Sequence, residues 1–489
     1  MSWKLLLRTI RYLKPNQIWY QILYRLKEPK YLNLEASVAD IPHLIAETVV
    51  KCTCFEGQTF TFLNQSHEFS GWNCTGNGML WAYNQNYFDW INQERISPDD
   101  CCRWIDKFIV ELPDNHVGLD PYPTALRTIN WIKFFSRCPE CATKERLNSL
   151  YSQIRHLERR LEYHLLGNHL LEDAYALFIG ACYFNDGRLK RKAKRLLMSQ
   201  LEEQILPDGA HYEQSPMYHC ILLDRLLDYV NIADSESRVE LKKYAVRMLG
   251  HLESIVWNDK TIPLLNDAAL NIAPTPEELF EYAKRLKLEW TGIPMVESGF
   301  RKMRNGRIEA VVDVGNIMAT YQPGHSHADA LTYELRIDGG PVVVDTGIST
   351  YDKTPRRQYE RSTSAHNCVV VEGQDSDEVW GGFRVGNRCK VSIIKERANL
   401  VEASHDGFGM ECRRTFEVKD GMFIVEDRYE GDAVSYIHLA HGVGLDRVTV
   451  DGASSIEILD TKYSVEYKRF VDNKTIAIHF NGVCRYSIR

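Results

Sequence analysis

The stretch GHSHADALTYELRIDGGPVVVDTG, from Gly324 to Gly347, sets His325 and His327 one residue apart and carries Asp345 near its far end. Imidazoles and carboxylates are the groups that move protons near neutral pH and that hold divalent metals. Apolar residues alternating around the DGG turn read as a β-hairpin, so residues i and i+2, His325 and His327, are expected on one face. The returning strand would bring Asp345 back towards them, and the segment RSTSAHN supplies His366 from the next strand. Two imidazoles and a carboxylate, one from each of three neighbouring segments, match the ligand types of a zinc site with an open fourth position. The alternative is a polar sheet edge whose histidines are satisfied by hydrogen bonds.

A second constellation is DGAHYEQSPMYH, Asp208 to His219. Ser215 reads as a helix N-cap with Pro216 at the first helical position. Tyr218 and His219 then fall in or just after the first turn, where the helix dipole favours an anion and is expected to ease a tyrosine towards its phenolate. That is a useful place for a tyrosine that moves protons. In GNHLLEDA, Asn168 and His169 sit in a helical run, with His169 and Glu172 on one face at i,i+3. Neighbours on a helix point about 100° apart, so only one of Asn168 and His169 is expected to reach a given ligand. Aromatic segments, WAYNQNYFDW and DPYPTALRTINWIKFF, hold Tyr87, Arg127, Asn130 and Trp131. Rings beside Arg and Asn suit a cleft for sugar faces and carboxylates, although aromatics at helical spacing also build cores.

These residues must be positioned by two kinds of element. To about residue 295 the helical period dominates, as in RLNSLYSQIRHLERRLEYHLLGNHLLEDAYALFIGACYF; after 296 short alternating runs are joined by DGG, KDG and NG turns. Helices followed by strands, without alternation, predict segregated domains at 1–295 and 296–489, with a linker near EWTGIPMVESG. A chain of 489 residues also exceeds what one core usually supports. With 44% hydrophobic and 26% charged residues the composition is that of an ordinary soluble protein. A net charge of −7 and a pI near 6.2 leave no basic surplus for nucleic acid, while a local cleft for an anionic small molecule or polymer remains compatible.

The opening MSWKLLLRTIRYLKPNQIWYQILYRLKEPK interleaves basic and apolar residues. It lacks the uninterrupted apolar region of a secretory signal, so we expect a helix docked on its own domain rather than an interfacial amphipathic helix. No stretch reaches membrane-span length, and the thirteen cysteines are expected as mostly reduced thiols in a cytoplasmic protein. CPEC, Cys138 to Cys141, is a single CxxC and only a weak zinc signal. Nothing in the sequence reads out an oligomeric state.

Taken together, WAYNQNYFDW, ALRTINW, GNHLLEDA, GAHYEQSPMYH, HSHADALTYELRIDGGPVVVDTG and RSTSAHNCVVVEGQDSDEVWGGFRVGNR resemble the heparinase II/III-like family of polysaccharide lyases in order and spacing. The resemblance implies an N-terminal incomplete α/α toroid followed by a C-terminal antiparallel β-sandwich. It implies β-elimination in a uronic-acid-containing acidic polysaccharide or oligosaccharide. By resemblance Tyr218 is the acid, and a candidate base as well; His325 is a base candidate, and Asn168 with His169 neutralise the substrate carboxylate. His327, Asp345 and His366 match the metal positions, usually zinc. Tyr87, Arg127, Asn130, Trp131, Glu213, His219 and Arg361 are the expected substrate-binding or supporting residues. The absence of a signal peptide makes the chain more similar to shorter relatives that accompany capsule or exopolysaccharide synthesis. The same residues also fit a uronate C5-epimerase or a non-catalytic glycan-binding protein of such a system.

Overall fold

The structure, a computed structural model, describes residues 3–26, 30–36 and 44–489. It opens with α1 (Trp3–Ile10) and α2 (Pro15–Leu26). A helical unit follows, made of α3 (Met79–Tyr87), α4 (Pro98–Glu111), α5 (Pro121–Arg137), α6 (Lys144–Leu157) and α7 (Gly167–Tyr183). It continues through α8 (Gly187–Gln204), α9 (Pro216–Ile232), α10 (Ser235–Ile255) and α11 (Pro276–Arg285). Side chains that accept from free first-turn amides begin six of these helices. Ser97, Thr143, Asp186, Ser215 and Asp234 cap α4, α6, α8, α9 and α10, and Thr275 forms a capping box with Glu278.

Burial sorts the helices into two layers. α5, α7 and α9 are buried on nearly every side, whereas α4, α6, α8 and α10 bury one stripe and expose the rest. α5 packs on α3 and α7, α7 on α9, and α9 on α11, with α6, α8 and α10 outside them. This inner and outer alternation is the incomplete α/α toroid that the resemblance implied. One piece of the helical half departs from the helical period. Phe55–Glu56, Thr59–Phe62 and Gln65–Glu68 form a small antiparallel sheet. Its turns are made by Gly57, Leu63 and Asn64 at positive φ, and Phe55 and Phe60 pack on Trp90 and Trp104.

No helix or strand lies between Arg285 and Phe300, the stretch that holds EWTGIPMVESG. Beyond it, Phe300–Asn305, Ile308–Asp313, Tyr333–Ile337 and Gly340–Val343 make a four-stranded antiparallel sheet. A larger antiparallel sheet includes Val391–Arg397, Leu400–His405, Cys412–Lys419, Met422–His438 and Arg469–Ile488. The two share one apolar layer, from Ala310, Val312 and Leu335 to Phe416, Val425, Ile437 and Ile478, which makes a β-sandwich. The toroid's own core takes in Phe300, Tyr321, Ile348 and Tyr467 from the later half, so the two units meet through apolar contact. Against that frame, the short helix α12 (Pro355–Glu360) carries Arg357 towards the junction.

Candidate active site

A cleft of about 810 Å³ opens at the junction. Tyr122, Leu126 and Asn130 of α5, Asn168 and His169 of α7, and Met217 and Tyr218 of α9 line one side, with Tyr87 at the end of α3. His325, Tyr351 and Phe383 line the other. α7 and α9 present their N-terminal turns to this space, and the partial positive charge there favours an anionic ligand.

The site is organised around Asp267, which sequence reasoning missed. It lies in the non-helical segment between α10 and α11 and is fully buried. Its Oδ2 accepts from His325 Nδ1 at 2.9 Å and its Oδ1 from His327 Nε2 at 2.7 Å. Arg357 donates to both oxygens, at 2.5 and 2.7 Å. Burial alone would raise the Asp267 pKa, but Arg357 and the two histidines outweigh it and hold the carboxyl well below its ordinary value. The neighbouring Asn266 accepts from the His327 backbone amide at 3.0 Å, and Ser215, the cap of α9, donates to the Asp267 carbonyl at 2.6 Å. One short segment thus ties α9 to the histidine loop.

His325 and His327 do share a partner, but not through a strand. Residues 324–330 form turns that precede the strand at Tyr333, and the common direction comes from Asp267. In the neutral ring, with Nδ1–H of His325 donating to a carboxylate, Nε2 carries the lone pair. That nitrogen lies 3.4 Å from the side-chain amide of Asn168 and 3.7 Å from Glu213. The Tyr218 ring stacks on His325 with centroids 3.9 Å apart, and Tyr351 donates to the Tyr218 hydroxyl at 3.3 Å. Ser215 and Pro216 start α9 as expected. The tyrosine is not eased towards phenolate, however. Burial raises its pKa well above the ordinary value and outweighs the Tyr351 hydroxyl, which lowers it, so the phenol stays protonated.

Glu213 fixes Asn168, accepting from its backbone amide at 3.0 Å and its side-chain amide at 2.8 Å. Gly167 makes room for this. At φ +59° it adopts a left-handed conformation, and a Cβ there would sit 2.6 Å from Glu213 Oε1. Gly167→Ala is therefore expected to cost at least about 1 kcal/mol through backbone strain alone. It should also displace Glu213, read as a lowered unfolding midpoint together with lost turnover. His169 does not pair with Glu172. It meets Glu162 Oε2 at 3.0 Å, while Glu172 is buried beside Arg225, and burial pushes its carboxyl up to about 7.

Other expectations change. Arg127 is fully buried and donates to Gln153, the Asn86 carbonyl and the Gly118 carbonyl, so it is a structural post under the cleft. Trp131 is fully buried against Phe88, Phe108 and Phe135. His219 turns away from the cleft, its Nε2 on the Met248 carbonyl at 3.0 Å. Arg361 holds the histidine loop from below through the Ser326 carbonyl at 2.8 Å. Of the predicted binding residues Tyr87 and Asn130 do face the cleft.

The three expected metal ligands gather beneath His325. His366 Nδ1 donates to Asp345 Oδ2 at 2.6 Å, and the His327 and His366 rings lie 5.1 Å apart. His327 spends its Nε2 on Asp267, leaving Nδ1 buried without a partner; His366 likewise leaves Nε2. In the neutral rings these two nitrogens, each on a ring oriented by a carboxylate, are donors that suit zinc. Asp345 has both oxygens engaged, by His366 and the Gly347 amide, so it acts as an orienter of His366. Among the described residues no three His, Cys, Asp or Glu side chains stand together as a metal site, the CPEC pair included.

Residues 130–284 match the family described as Heparinase II/III N-terminus, and residues 289–483 match Heparinase II/III-like, C-terminal, in the order of the two units. The chain belongs to the heparinase II/III-like family. Within that family it is 23% identical over 316 residues to a heparin-sulfate lyase of Bacteroides stercoris, across 57% of this chain and 46% of the relative. It is 25% identical over 336 residues to a heparin-sulfate lyase of Pedobacter heparinus, across 60% and 48%. This heparinase-family chain therefore spans about half the length of the curated relatives it matches. In fold it is similar to a crystal structure of heparinase III, with TM-score 0.63, 15% identity, and coverage of 84% of this chain and 75% of the other. A heparan sulfate lyase of Pedobacter heparinus gives TM-score 0.58 at 15% identity, covering 96% and 87%.

Proposed function

We propose that this chain is a polysaccharide lyase that cleaves a uronic-acid-containing polysaccharide by β-elimination. The observation that carries the reading is the convergence of a His325 Nε2 lone pair, the Asn168 amide and the protonated Tyr218 hydroxyl on one cleft, with Asp267 fixing the histidine tautomer. The C5 proton of a uronate is a poor acid while the adjacent carboxylate is ionised. Asn168, with His169 beside it in the cleft, donates to that carboxylate and lets negative charge move onto it as C5 is deprotonated. His325 Nε2 takes the proton, the C5 electron pair forms the C4–C5 double bond, and the C4–O4 bond breaks. Tyr218 gives its proton to the departing O4. Tyr351 donates to the Tyr218 oxygen and stabilises the phenolate left behind.

The cleft's charges narrow the substrate. Lys51, Lys133 and Arg225 line it, and each is already paired, with Asp89, Asp228 and Asp224 respectively. Asp89, Asp224, Glu278 and Asp352 line it as well. Recognition of sulfate needs cations free to pair with it. A uronate polymer with little or no sulfate fits this lining better than a heavily sulfated one. The experiment is digestion of a panel of uronate polymers, sulfated and unsulfated, followed by the near-ultraviolet absorbance of the unsaturated product. We expect at least about tenfold higher kcat/KM on an unsulfated member, one tenfold step being about 1.4 kcal/mol. Equal or better turnover of heparin would refute the substrate reading.

Zinc belongs to the proposal as a ligand of His327 Nδ1 and His366 Nε2. Bound there, it would supply positive charge beneath the cleft and pin the loop that carries His325. Metal analysis is expected to find about one zinc per chain, lost in His366→Ala and kept in His325→Ala, since His325 points its free nitrogen elsewhere. Equal loss from both variants while folded would contradict this assignment.

A further inference from the structure

α1 and α2 are mounted on the protein the wrong way round for a helix that serves its own core. An ordinary docked helix buries its apolar stripe and exposes its charges. Here the contacts that fix the helices to the protein are mostly polar or aromatic. On α1, Arg8 pairs with Glu378 at 2.7 Å and Thr9 accepts from Trp380 at 3.1 Å. On α2, Gln17 donates to the Leu165 carbonyl at 3.0 Å, Tyr24 to the Leu161 carbonyl at 2.6 Å, and Tyr20 stacks on Tyr163. Lys14, between the helices, pairs with Glu203. Most of the large apolar side chains are left outside, while Leu5, Leu6 and Leu23 are half-buried. α1 buries none of its residues, and Trp3, Leu7 and Ile10 are exposed at i, i+4 and i+7, Trp3 to 67%. On α2, Ile18, Trp19 and Ile22 are exposed, Trp19 to 63%.

We propose that α1 and α2 form a docking face for an anionic lipid bilayer, lying in its interface without crossing it. Charge selects this occupant. Residues 1–27 carry Lys4, Arg8, Arg11, Lys14, Arg25 and Lys27 and no Asp or Glu, in a chain whose net charge is −7. Among the described residues Lys4, Arg11 and Arg25 have no ion-pair partner and are exposed, beside the apolar stripes. Exposed tryptophans and aliphatics flanked by unpaired cations suit the boundary between acyl chains and anionic headgroups. No helix among the described residues is long and apolar enough to cross a membrane, so the face can only lie on one. The segments gripped by the two helices also carry Leu165 and Phe383, which line the cleft.

The test is vesicle flotation of the full chain with neutral phosphatidylcholine vesicles and with vesicles containing a third phosphatidylglycerol. We expect binding to the anionic vesicles only, weakened by salt, and at least about tenfold weaker in the double variant Trp3→Ala/Trp19→Ala and in Lys4→Glu/Arg25→Glu. All four side chains are exposed, so circular dichroism and the unfolding midpoint should be unchanged, as should turnover of a soluble substrate. Absence of binding to anionic vesicles, or binding unaltered by either variant, would overturn the proposal. So would a dimer in solution that the tryptophan variant converts to monomer without vesicle binding, because a second copy would then cover the face.

Discussion

Tyr218→Phe is expected to lower kcat by roughly 10²–10⁴ while leaving the unfolding midpoint and KM close to those of the parent. The substitution removes one oxygen. It keeps the ring that stacks on His325 at 3.9 Å and removes the hydroxyl that Tyr351 meets at 3.3 Å. The site around it is otherwise untouched, so the loss should fall on the chemical step. Burial keeps the phenol protonated at neutral pH, which makes it a donor to O4 and leaves proton removal to His325. Tyr351→Phe should cost less, because it takes away a partner of the phenolate and not the proton itself. Steady-state kinetics on a uronate polymer, with the midpoint measured alongside, separates these outcomes from a folding defect.

Asp267→Ala is expected to cost about 3–5 kcal/mol of stability, because it leaves the Arg357 guanidinium buried and uncompensated. Arg357 is fully buried and both its terminal nitrogens rest on Asp267. The same change frees His325 and His327 to choose another tautomer and orientation. Asp267→Asn should retain more stability and still lose turnover, since one face of an amide cannot accept from all three donors. Urea unfolding gives the first quantity and kcat the second. A variant at Asp267 with parental stability would show that the carboxylate is not the centre of the site.

The fold was readable because its two periods differ. Helical spacing in the earlier part of the chain and alternation in the later part foretell a toroid followed by a sandwich, and the capped start of α9 at Ser215 and Pro216 could be read residue by residue. What could not be read is what the tertiary structure decides. Arg127 and Trp131 stand beside an aromatic run that looks like a sugar platform, yet α5 is an inner helix and both point into protein. His169 and Glu172 share a helical face, but a carboxylate from the preceding loop, Glu162, takes the imidazole. Asp267 had a faint signal, a charged residue that with Asn266 interrupts the apolar run IPLLNDAAL. Burying a carboxylate there is worthwhile only with partners such as Arg357 and the two histidines, and those come from about 60 to 90 residues away. Tyr351 and Arg357 carried no local pattern at all, since their roles exist only where α12 and the histidine loop meet.

If this cleft removes the C5 proton of a uronate and expels O4 with Tyr218 as the acid, the products of an unsulfated uronate polymer turned over in heavy water and read by NMR are decisive. Chain ends bearing a C4–C5 double bond are expected, formed by the parent protein and suppressed by roughly 10²–10⁴ in Tyr218→Phe. Deuterium at C5 of uncleaved chains would instead identify an epimerase, and unsaturated ends formed equally well by Tyr218→Phe would remove Tyr218 from the chemistry.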